Sequence, residues 1–147
     1  MLFRSRTAPT AAATLLFALV AVAACDDNTN PTDGIAGTYQ AAELTIADES
    51  GSIDLLAAGA ELSIVLTAAG ATSGTFVIPA AYSESGLEET LSLAGTYEYD
   101  AAAQSATFDH EADTFIRDVA WELEGGNLHA AFTSGGSTLT ATLERTH

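Results

Sequence analysis

Residues 90–100 read TLSLAGTYEYD, and this stretch decides the fold class. Leu91, Leu93, Gly95, Tyr97 and Tyr99 fall on one parity, while Ser92, Ala94, Thr96 and Glu98 fall on the other. A strand sends successive side chains to opposite faces, so alternation of this kind marks a strand with one buried face. The pattern recurs on both sides. Leu62, Ile64 and Leu66 alternate with Glu61, Ser63 and Thr67. Phe115, Arg117, Val119, Trp121 and Leu123 share a parity opposite Thr114, Asp118, Glu122 and Glu124. Leu128, Ala130 and Phe132 follow, then Leu139, Ala141 and Leu143.

Turn residues punctuate these runs at Gly51, Ala69-Gly70, Asp100 to Gln104, Gly125-Gly126-Asn127 and Gly135-Gly136. The last two join alternating runs so closely that they read as tight hairpins. Strand segments are expected near 37–47, 52–57, 60–68, 72–79, 90–100, 104–110, 113–124, 127–133 and 137–145. The weakest is 52–57, which could be a helical turn before Gly59, so the count is about eight. Pro79 to Glu89 reads as a longer exposed loop, and no long helix is expected after residue 35. Closely spaced sequential strands favour an all-β, antiparallel up-and-down barrel, in which closure removes the exposed sheet edges.

Ahead of this domain the chain changes character. Arg4 and Arg6 precede an uncharged apolar run, Ala11 to Ala24. That run is short for a membrane span, which needs about 20 apolar residues. It fits the apolar region of a secretory signal peptide. The run ends in Val22-Ala23-Ala24-Cys25, which resembles the lipobox of bacterial lipoproteins. The resemblance implies cleavage before Cys25 and acylation of its thiol by diacylglyceryl and palmitate-type chains. Cys25 is the one cysteine of the chain, so no internal disulfide can form. Two or more acyl chains hold a protein on a membrane stably. The expected organisation is a signal peptide at 1–24, a lipidated Cys25 with a flexible tether to residue 34, and a barrel domain over 35–147. The tether, DDNTNPTDG, is polar and rich in turn residues. Its acids do not make a calcium loop, because the sixth and twelfth positions from Asp26 are Pro31 and Gly37 rather than Gly and Glu. Asp26 directly after Cys25 resembles an inner-membrane retention signal of enteric bacteria. The localisation read from these features is the bacterial cell envelope, with the choice of membrane left open.

Without the leader, the remaining 123 of 147 residues carry all 20 acids against two arginines, a net charge of −18. Such a surface repels nucleic acid and anionic headgroups. The expected membrane attachment therefore runs through the lipid on Cys25 alone.

Gly37-Thr38-Tyr39 is similar to the Gly-x-Trp signature that opens lipocalin and lipocalin-like barrels, with Tyr in the Trp position. Thr140 to Arg145 is similar to their last strand. Gly70 to Gly74 resembles the mid-barrel hairpin of small bacterial lipocalin-like lipoproteins, and Leu93 to Tyr97 their recurring Gly-Thr-Tyr strand. The likeness covers most of residues 35–146. It implies a calycin-type barrel closed at one end by Gly37, Tyr39 and Arg145, with the arginine packed over the first strand's ring. A cation over an aromatic face contributes about 0.5–2 kcal/mol.

Phe76, Tyr97, Phe108, Phe115, Trp121 and Phe132 would face the interior, either lining a site for a small hydrophobic ligand or forming a filled core. Arg117 shares the inward parity, and a buried arginine needs an acidic partner. It would bind a ligand carboxylate or, by the favoured reading, pair with an acid of the protein. Asp109-His110-Glu111-Ala112-Asp113 groups four donors in five residues. It reads as an acidic turn rather than a metal site, since zinc needs three or four convergent ligands. No nucleophile elbow, phosphate loop, dinucleotide fingerprint or heme motif occurs. The expectation is a non-catalytic protein without a cofactor. It would be either a carrier of a small hydrophobic ligand or an envelope component that works through the outside of a filled barrel.

Overall fold

The computed structural model describes residues 32–146. The leader, the lipobox, Cys25 and most of the tether lie outside the described residues, as does His147. Ten strands form one sheet: β1 (Gly37–Asp48), β2 (Gly51–Asp54), β3 (Glu61–Leu66), β4 (Ala71–Ile78), β5 (Glu89–Ser92), β6 (Gly95–Asp100), β7 (Ser105–His110), β8 (Trp121–Glu124), β9 (Asn127–Ser134) and β10 (Ser137–Thr146). Each staff of the sheet pairs antiparallel with its neighbours, and β10 closes on β1.

Two pairs of these strands are single barrel staves with a break. Thr75 faces Ser92 and Thr72 faces Gly95, so β5 and β6 keep one register against β4 across the gap at Leu93-Ala94. Inside the gap the Leu93 N–H still donates to the Gly74 carbonyl at 3.0 Å. β2 and β3 both pair with β1, at Asp48↔Gly51 to Thr45↔Asp54 and at Gly37↔Leu66 to Gln40↔Ser63. The turn between them swings Leu55 into the core. Counted this way, the fold is a closed antiparallel barrel of eight staves in up-and-down order, as the alternation implies.

Local chemistry explains the joints. Gly125-Gly126 (φ 61°, 90°) and Gly135-Gly136 (φ 59°, 86°) take the left-handed backbone that two-residue hairpins need. Asp100 caps its own turn by accepting from Ala102 N and Ala103 N at 2.9 and 3.1 Å. Ala42 is an extra residue between Ala41↔Leu143 and Glu43↔Thr142. This bulge moves the buried parity of β1 from Tyr39 to Leu44.

Two strand expectations need correction. Residues 52–57 are strand only to Asp54, because 55–59 form the turn that buries Leu55. Residues 113–124 are not one strand. A single helical turn, α1 (Phe115–Asp118), precedes β8. The cause is Ile116, which is fully buried beside the partly buried Phe115. Alternation cannot put two neighbours on one face, whereas a helical turn can.

The barrel has two unlike ends. At the first lie the β1 start, the 67–70 and 101–104 turns, the Gly125-Gly126 hairpin and the β10 terminus. At the second lie the 49–50 turn, the 79–88 loop, the segment 111–120 and the Gly135-Gly136 hairpin.

Candidate functional site

The interior is built from one parity of every stave. Tyr39, Leu44, Ile64, Leu66, Trp121, Leu128 and Leu143 are essentially inaccessible to solvent. The aromatic residues form a continuous chain of ring contacts. Tyr97 meets Phe108 at 6.4 Å, Phe108 meets Trp121 at 6.1 Å, Trp121 meets Phe115 at 6.0 Å, and Phe115 meets Phe76 edge-on at 5.9 Å. Each such pair adds about 0.5–1.5 kcal/mol beyond burial. The structure therefore brings together Phe76, Tyr97, Phe108, Phe115 and Trp121. Phe132 stands apart from this chain: it is half-buried at the second end, opposite Leu139.

At the first end the segment 32–36 folds across the opening. Ile35 is fully buried, and Tyr39 Oη donates to its carbonyl at 2.7 Å. Tyr97 Oη donates to the Thr67 carbonyl at 2.6 Å. Burial pushes both phenols above their ordinary pKa, and for Tyr39 the nearby Arg145 charge works in the opposite direction. Arg145 is the register partner of Tyr39. Its guanidinium donates to the Ala36 carbonyl and fills the space a side chain at Gly37 would take, with Nε 2.6 Å from where the Cβ would sit. Gly37, Tyr39 and Arg145 thus meet at one end. The arginine is fixed by a carbonyl and by the absent side chain of a glycine, in place of the ring-stacked arrangement expected from the sequence.

The second end is closed differently. Segment 111–120 crosses the mouth and leaves β7 and β8 only two paired positions, Ser105↔Glu122 and Ala106↔Trp121. Its contacts with the interior are the Phe115 ring, the buried Ile116 and a hydrogen bond from Trp121 Nε1 to the Ile116 carbonyl at 3.1 Å. Arg117, read from its parity as inward, is instead on the helical turn and about one-third exposed. It pairs with Asp113 at 2.5 Å and with Asp118 at 3.4 Å. It therefore does not reach the aromatic chain.

His110 is the residue whose position the sequence reading missed. In the acidic run 109–113 it was weighed only as a metal donor. On β7, however, it shares the parity of Ala106 and Phe108, and it is 4 % exposed. Asp109 and Glu111 are exposed on the other parity, so the run does not converge on one point. Both His110 ring nitrogens and the neighbouring Thr114 Oγ1 are buried without a hydrogen-bond partner. Desolvation lowers the His110 pKa from the ordinary 6.5, and the Arg117 charge lowers it further.

Fold and interior together define a small closed up-and-down barrel with a self-filled core, consistent with a lipocalin-like architecture. Comparison with protein-family models, with curated proteins and with solved structures returned no match.

Proposed function

We propose that this protein is a lipid-anchored component of the bacterial envelope that works through the outer surface of a filled barrel. The observation that supports it is the ring chain from Tyr97 to Phe76, which occupies the volume a carried ligand would need. The acids of the staves, among them Glu43, Glu61, Glu98, Asp109, Glu122 and Glu144, are on the exposed parity. That surface suits a cationic partner and is repelled by anionic lipid. Attachment would then rest on acylated Cys25. The described chain enters at the first, Arg145-sealed end, so on this reading the second end faces away from the bilayer.

Two measurements test the proposal. Mass spectrometry of the mature protein should give an N-terminus at Cys25 carrying acyl chains, lost in Cys25→Ser. An unmodified chain beginning elsewhere would refute the anchor. A fluorescent fatty acid at pH 7.5 should leave Trp121 emission unquenched. Saturable quenching would reinstate the alternative, a carrier of a small hydrophobic ligand.

A further inference from the structure

We propose that residues 111–120 form an acid-released cap over the second end of the barrel, with His110 as its proton sensor. The cap leaves the barrel wall where β7 ends at His110 and rejoins it at Trp121. It is held by one aromatic side chain, one buried isoleucine and one hydrogen bond to the indole. Its helical turn has no side-chain cap: Thr114 stands at the N-cap position, and its buried hydroxyl bonds nothing. A segment with so few attachments opens at lower cost than the staves around it.

The sensor sits at the hinge of this cap. His110 is buried, neutral-favouring and unpaired at both nitrogens. A buried polar group without a partner keeps its desolvation cost, and adding a proton raises that cost sharply. The charges around it decide how the proton acts. From the cap, Arg117 opposes protonation, whereas Asp118 favours it, as does Asp109 on β7 itself. Glu111 and Asp113 flank the hinge and are exposed, and Asp113 is engaged by Arg117. Opposite His110 on β6 stands Gly95, with Tyr97 the next inward residue. The single cation facing the ring is thus carried by the cap, so protonation pushes the cap away from the wall.

The sign of the effect follows from linkage. His110 binds a proton more weakly in the closed form than in the open form, where the ring meets water and its ordinary value near 6.5 applies. The closed form is therefore fully favoured above that value. It loses ground as the pH falls through it, by up to about tenfold in the closed-to-open ratio per pH unit for one proton. Carboxylates ordinarily titrate near 4, below this window. Opening would bare Phe76 and Trp121 and turn a filled barrel into one with an apolar mouth. This goes beyond the proposed envelope role, and it stands or falls without reference to the anchor.

The test is a titration from pH 7.5 to 5.0 that follows Trp121 emission, Nile red fluorescence and far-ultraviolet circular dichroism. The wild type should show a red shift of Trp121 and rising dye emission with unchanged circular dichroism. His110→Leu and His110→Gln should stay flat, while His129→Gln, whose ring lies on the other parity against Thr142, should behave as the wild type. Hydrogen exchange of the unaltered protein should show amides 111–120 losing protection at pH 5.5, after correction for intrinsic rates, while β1 and β10 keep theirs. A flat wild-type titration overturns the proposal. So does a transition that survives in the His110 variants, or a loss of circular dichroism in step with the emission shift.

Discussion

Arg145 stabilises the first end through a charged hydrogen bond to the Ala36 carbonyl and through its fit over Gly37. Removing a charged donor from a carbonyl costs about 1.5–3 kcal/mol. Arg145→Ala should therefore lower the melting temperature by several degrees in calorimetry, and an unchanged melting curve would disprove this seal. The two buried phenols make a second prediction. Tyr39 and Tyr97 hold their protons more tightly in the folded chain than the ordinary value of 10.0 implies. Their contribution is complete below pH 10 and is lost as the pH rises through their folded values. Stability in urea should therefore fall steeply above pH 10, and less steeply in Tyr97→Phe. At this scale much was legible from parity: Tyr97, Phe108 and Trp121 are inward as their alternation implies. His110 was equally legible, being two residues beyond Phe108, but the acids on either side drew the reading toward metal chemistry.

At the level of elements, the staves and the helical turn respond to different signals. The run 90–100 is one stave because its alternation and its register against β4 agree on both sides of the gap. Segment 113–124 carried an equally regular alternation, yet it breaks into α1 and β8. The off-parity residue Ile116 was the warning. Burying it requires a turn of helix, and the hydrophobic gain of a buried isoleucine outweighs two or three strand hydrogen bonds on the β7 side. Side chain 115 is the main aromatic weight of this cap, which packs on both Phe76 and Trp121. Phe115→Ala should destabilise the segment by about 2 kcal/mol, less than a fully buried phenylalanine costs. Hydrogen exchange should show the loss confined to 111–120. Equal loss in β1 and β10 would mean that the cap and the barrel open as one unit.

For the molecule as a whole, charge and core oppose each other. The 123 residues from Cys25 carry a net −18, and self-repulsion of that size destabilises a compact state. Salt screens it over about 10 Å at 0.1 M. The melting temperature should rise between 10 and 200 mM sodium chloride, and a fall would mean that attractive pairs outweigh the repulsion. The sequence by itself determined the all-β class, the strand order, the hairpin positions and the acid-coated exterior. Each depends on the identity of neighbours along the chain: alternation, paired glycines and the near absence of basic residues. Only the tertiary structure decided that the interior is filled by its own rings, that Arg145 is held by Ala36 and Gly37, and that Arg117 stays outside. It alone also placed His110 unpaired beneath a short cap. Those outcomes depend on which side chains from distant staves compete for the same volume, and a one-dimensional pattern does not encode that competition.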